Sequence, residues 1–89
     1  MSIAADLSDK TAIVTGASSG IGRAIAERMG VAGAHVILSG RTAAPMEESA
    51  ARISEAGGRA AVVIGDVCQP GAVDELVSAA IDADGHLDI

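Results

Sequence analysis

The sequence predicts an α/β fold: an open parallel sheet with helices wound over its faces. Three observations predict it. Short apolar runs without polar alternation recur at similar spacing, as strands covered on both faces require. Segments of helical period lie between them. Glycine or proline punctuates the junctions. The order that results, β-α-β-α-β-α-(β), is the pattern of a sheet built by right-handed crossovers.

The first strand is Thr11-Ala12-Ile13-Val14. A helix is predicted over about 21–31, with Ile21, Ala24, Ile25 and Met29 facing inward, Arg23 and Glu27 off that face, and Gly33 as the stop. His35-Val36-Ile37-Leu38 is the second strand. A second helix follows over about 45–56, with Pro45 at its first position and Glu47 and Glu48 near the positive end of its dipole. Its apolar face is Met46, Ala50 and Ile53, and Gly57-Gly58 ends it. With Glu55, the two acids read as a solvated face. Ala60-Ala61-Val62-Val63-Ile64 is the third strand. The third helix starts at Pro70 and carries Val73, Leu76, Val77, Ala80 and Ile81 at i, i+3, i+4, i+7 and i+8. Gly85 closes it, and Leu87-Asp88-Ile89 opens a fourth strand.

Composition removes several function classes. With 89 residues the chain is one small domain or part of one, at roughly 100–200 residues per domain. Apolar residues make up 49% and charged residues 20%, which is globular rather than disordered composition. A net charge of −6 and scattered basic residues argue against nucleic acid as a partner. The absence of Phe, Trp and Tyr leaves a core without large rings. The single cysteine, Cys68, cannot form an internal disulfide and reads as a small packing residue rather than a nucleophile. His35, His86 and Cys68 show no metal-ligand spacing, so no metal is predicted. The stretch from Met1 to Asp6 lacks the basic and apolar regions of a secretion signal. The longest apolar run is about five residues against the roughly 20 of a membrane helix, so no membrane partner is expected. A cytoplasmic location is the expectation.

The chemistry-bearing segment is Thr15-Gly16-Ala17-Ser18-Ser19-Gly20-Ile21-Gly22, set between the first strand and the first helix. Glycines let the main chain turn tightly and approach a ligand, and the helix start aims free N–H groups and a positive dipole end at the same spot. Together they form a site for a diphosphate. The alternative is a glycine-rich turn that holds nothing. A kinase-type phosphate loop is excluded, because no Gly-Lys-Ser/Thr follows and Lys10 is the one lysine of the chain.

This segment resembles the short-chain dehydrogenase/reductase family through Thr15, Gly16, Gly20 and Gly22 in the pattern Thr-Gly-x-x-x-Gly-x-Gly. The spacing departs from the Gly-x-Gly-x-x-Gly fingerprint of other dinucleotide folds. The resemblance runs from about Leu7 to Ile89. It implies a Rossmann-like doubly wound parallel sheet, incomplete here, and a nicotinamide dinucleotide as partner. Gly16, Ser18, Ser19, Gly20, Ile21 and Gly22 are its expected binding residues in the glycine loop. Asp66 and Val67 would meet the adenine ring, although by itself Asp66 also reads as a turn residue. Gly85-His86-Leu87-Asp88-Ile89 looks like the lead-in to the family's fourth strand.

Charge argues for the form of the cofactor. Ser39-Gly40-Arg41-Thr42 follows the second strand and holds no carboxylate. Arg41 offers a fork of donors to a 2′-phosphate, and Ser39 and Thr42 add hydroxyls, so NADP(H) is favoured over NAD(H). The alternative for Arg41 is a solvated loop arginine. Arg23 reads equally as a phosphate-directed charge or a surface residue.

Reduction of a carbonyl also needs a proton donor. The family resemblance implies a tyrosine, assisted by lysine, serine and asparagine. This chain has no tyrosine or asparagine, and Lys10 precedes the first strand. Ser18 and Ser19 lie in the phosphate loop, so no catalytic residue is placed. The fourth strand would lie beside the first, whose edge is otherwise open to self-association. Asp84 stands where the family commonly has an aromatic, and a relaxed or solvent-facing helix end is expected there.

The reading is an N-terminal NADP(H)-binding part, residues 1–89, of an oxidoreductase interconverting an alcohol and a carbonyl. It ends before the catalytic segment and is inactive as this chain, with a small-molecule substrate only in a full-length parent. A truncated gene, a partial sequence or a cloning product would produce it. The alternatives are a non-catalytic nucleotide-binding or interaction module and a folded remnant without function.

Overall fold

The computed structural model describes residues 6–89. The stretch 1–5, on which most of the secretion-signal reading rests, lies outside the described residues. Three strands and three helices alternate: β1 (Thr11–Val14), α1 (Gly20–Val31), β2 (His35–Gly40), α2 (Ala43–Glu55), β3 (Arg59–Ile64) and α3 (Ala72–Asp84). The strands are parallel in the order β1-β2-β3, with Thr11 level with His35 and His35 level with Arg59.

β2 is the central strand, and Val36, Ile37 and Leu38 are buried without a break. Val36 and Leu38 face α1 and α2 beside Ala26, Met46 and Ile53. Ile37 faces the other way, against Leu76 and Ala80 of α3. That two-sided cover is the physical reason the apolar run does not alternate.

The inward faces of two helices differ from expectation. On α1 the buried residues are Ala26 and Gly30, whereas Ile21 is 80% exposed and Ala24 and Ile25 are exposed too. Small residues at i, i+4 and i+8, counting from Gly22, bring the helix close, and a Cβ on Gly30 would run into Ile53. Close approach selects the smallest face rather than the most apolar one. Arg23 and Glu27 lie half-buried along the α1–α2 seam, where Arg23 meets Glu48 at 3.3 Å and Arg52 meets Glu27 at 2.9 Å. On α3 only Leu76 and Ala80 are buried, and Val73, Val77 and Ile81 remain exposed. The stripe is wider than the sheet surface that α3 covers.

Pro45 occupies the third position of α2 instead of the first, still within the turn whose N–H groups lack helical partners. Met46 and Ile53 are buried as expected. α3 begins two residues after Pro70 and ends at Gly85, whose N–H donates to the Ile81 carbonyl at 2.7 Å.

The outer edge of β1, expected to be open, is covered over its first half. Asp88 and Ile89 donate their N–H groups to the Thr11 carbonyl at 2.9 and 3.1 Å, and the Ile13 N–H donates to Ile89 at 3.0 Å. Asp84 does not face solvent. Its side chain is 10% exposed and accepts bonds from Thr11 Oγ1 (2.7 Å), from His35 Nδ1 and from Arg59 (3.1 Å).

Candidate functional site

The loops that leave β1, β2 and β3 meet at the carboxyl ends of the strands, where ligands of open α/β sheets bind. In the first loop the backbone takes positive φ at Gly16 (65°) and Gly20 (59°), which glycine adopts without steric cost. Between them the buried Ala17 donates its N–H to the Ser39 carbonyl at 3.0 Å, tying the loop to the end of β2. Gly22 lies directly beneath this turn, and a Cβ there would collide with the Gly16 carbonyl.

The start of α1 is chemically bare. Ser19 precedes the helix in extended backbone and makes no side-chain capping bond, and the first turn holds no acid. The N–H groups of Gly20, Ile21 and Gly22 have no intrahelical partners, and no carboxylate in that turn offsets the positive end of the dipole.

A groove of about 260 Å³ opens before this helix end. Gly16, Ser18 and Ser19 form its first wall, Ser39, Arg41 and Thr42 its second, and Asp66 and Val67 its third. Eight of the eleven predicted binding residues therefore share one groove. Gly20, Ile21 and Gly22 do not line it. They shape and support the turn, and the Ile21 side chain points to solvent. Two lining residues, Gly40 and Gly65, were not among those predicted. Gly65 donates its N–H to the Gly40 carbonyl at 2.9 Å, and a Cβ on Gly40 would strike the Ser18 hydroxyl and crowd the Met46 sulfur. Glycine at the end of an apolar strand, Gly40 as the last residue of β2 and Gly65 directly after β3, was the signal for both.

The walls are linked. Ser18 Oγ lies 3.4 Å from both the N–H and the carbonyl of Thr42, bridging the first and second loops. Asp66 Oδ1 accepts the Cys68 N–H at 2.9 Å. That bond holds the Asp66 carboxyl below the usual carboxylate range, and the nearby Arg41 guanidinium acts in the same direction. Cys68, expected as a packing residue, is exposed, because its loop leaves the sheet before α3 returns to it. Of the two readings of Arg23, its pairing with Glu27 and Glu48 favours the surface role.

A second cavity, about 270 Å³, lies at the opposite end of the strands beside Thr11, His35, Arg59 and Asp84. Its central polar groups already bond to one another, whereas the groove at the helix start has donors free. The groove is the better candidate for a ligand. Among the described residues no group of three or more His, Cys, Asp or Glu is placed to hold a metal ion. Among them also, no helix is long and apolar enough to cross a membrane.

Comparison with known proteins follows the same outline. The family model described as short chain dehydrogenase matches residues 10–89. A fatty acyl-CoA reductase of Acinetobacter baylyi is 43% identical over 79 residues, covering 89% of this chain and 27% of its own. The apo glucose dehydrogenase of Caenorhabditis elegans superposes with a TM-score of 0.83 at 38% identity, over 92% of this chain and 36% of that one. The L-sorbose reductase of Gluconobacter frateurii, solved with NADPH and L-sorbose, gives a TM-score of 0.84 at 37% identity, over 97% of this chain and 33% of that one. The chain thus spans between 27% and 36% of the length of these three relatives.

Proposed function

The chain belongs to the short-chain dehydrogenase family, and on that premise we propose that its groove holds the adenosine and diphosphate portions of NADP(H), in preference to NAD(H). The parent reaction is then the interconversion of an alcohol and a carbonyl on a small organic substrate. The single observation that carries the reading is the bare, acid-free start of α1 under a turn with positive φ at Gly16 and Gly20, packed so closely on Gly22 that a Cβ there would strike the Gly16 carbonyl.

The residues fit such a group. Gly16, Ser18 and Ser19 would face a diphosphate from the groove wall, while Gly20 and Gly22 shape the turn that brings the start of α1 to it. Ser39, Arg41 and Thr42 would receive the adenosine ribose. Arg41 is exposed at the groove wall, and no carboxylate stands in its loop to repel a 2′-phosphate. Asp66 and Val67 would bound the adenine. When bound, the nicotinamide supplies or accepts the hydride. The proton has no evident donor among these residues, since the chain contains no tyrosine, and we place no catalytic group in it.

Titration of the chain with NADPH and NADH, followed by cofactor fluorescence, tests this reading. Arg41→Ala is expected to weaken NADPH by about 10- to 100-fold, the size of a charge-assisted contact, and to leave NADH nearly unchanged. Equal losses for the two would remove the 2′-phosphate assignment. The same protein given NADPH and a ketone is expected to show no oxidation of the cofactor.

A further inference from the structure

We infer that Asp84 is a remote positioning residue for the adenine-side wall of the groove, acting through α3 as a rigid lever. The inference rests on the groove reading above. Helix α3 joins the two ends of the sheet: the loop that leads into it carries Asp66 and Val67 at the groove, and the helix ends at Asp84, beside the first residues of the strands. Its 13 residues span about 20 Å at 1.5 Å per residue.

The groove end has little hold of its own. Gly65 is tied to Gly40, but between Asp66 and Ala72 the backbone bonds are local: Gln69 N–H to Asp66 and Ala72 N–H to Gln69. Asp66 spends a carboxylate oxygen on Cys68, within the same loop. Among the described residues, the hydrogen bond that leaves the 66–71 loop runs to α3 itself, from the Glu75 N–H to the Gly71 carbonyl at 3.0 Å. Where the loop sits is therefore decided by where α3 sits.

α3 itself buries only Leu76 and Ala80. With Ala79 they pack on Ile13, Ile37 and Val63, contacts that set the distance of α3 from the sheet but resist sliding and rotation less well, because apolar attraction is non-directional. Asp84 adds the directional hold. Thr11, His35 and Arg59 are level with one another across β1, β2 and β3, and Asp84 accepts from all three. One carboxylate thus fixes the helix end against every strand of the sheet.

Hydrogen exchange of the backbone amides and binding of adenosine 2′,5′-bisphosphate, a probe of the adenosine half alone, test the inference in the 89-residue chain. Asp84→Asn is expected to speed exchange in residues 66–84 selectively, while amides of β2 and of Ala17 keep their protection. It should weaken the probe by about two- to tenfold, the usual size for a residue coupled through a rigid element. Thr11→Val, which removes one of the three bonds at constant size, should give a smaller change of the same pattern, and decides the matter if Asp84→Asn does not fold. Exchange that rises uniformly, or a probe affinity unchanged in a variant whose α3 is loosened, would overturn the lever. If the parent chain does not bind the probe, the groove reading fails, and the exchange pattern still decides whether Asp84 holds the 66–72 loop in place.

Discussion

At the scale of single residues, the site depends on atoms that are missing. Gly22 has no Cβ because the Gly16 carbonyl occupies its place, and that carbonyl belongs to backbone held by the Ala17 bond to Ser39. Gly22→Ala must therefore displace main chain rather than a flexible side chain. It is expected to cost about 1–3 kcal/mol of stability and to abolish dinucleotide binding. A urea midpoint by far-UV circular dichroism reads the first effect, since no aromatic reports folding. The glycine pattern was legible because its cause is local, a tight turn between a strand and a helix. Asp84 was not legible. Its partners Thr11, His35 and Arg59 lie 73, 49 and 25 positions away, and no window along the chain contains them together.

At the scale of elements, α3 and the segment after it are held to the sheet by carboxylates as well as by packing. Asp84 lies below the usual carboxylate range chiefly because His35 and then Thr11 bond to it. Asp88 is lowered by the Thr11 N–H, with His86 assisting. An acid whose folded pKa is depressed contributes stability in full above its unfolded value, about 3.9, and loses it as pH falls through the folded value. The urea midpoint is therefore expected to drop below about pH 4 and to keep falling toward pH 2. Asp84→Asn should flatten that acid limb while lowering the neutral plateau. A parallel decline in parent and variant would show that Asp84 does not carry it. Element existence and order followed from periodicity, but the inward faces of α1 and α3 did not. Periodicity marks an apolar stripe, and only the neighbour decides which part of the stripe is covered.

At the scale of the whole molecule, apolar surface remains on both faces of the sheet. α1 exposes Ile21 and Ile25, and α3 exposes Val73, Val77 and Ile81. With β1 covered only as far as Ile13 by the final residues, the chain is expected to self-associate as its concentration rises. Sedimentation should show this, and the pair Ile25→Gln and Val77→Gln should reduce it with little change in the far-UV spectrum. Unaltered association in that double variant would exclude these faces as its cause. The core itself is modest: its largest fully buried side chains are Ile37, Leu38, Met46, Ile53 and Val36, and the sequence has no ring to enlarge it.

By itself the sequence determined the alternation of strands and helices and the glycine turn. Each depends on interactions between near neighbours or on a backbone conformation that residue type selects. Tertiary structure alone decided which helix faces are buried, that Gly40 and Gly65 complete the groove, and that an acid at the end of α3 joins three strands. Those outcomes depend on groups distant in the chain being brought within a few ångströms, and no local pattern records that meeting.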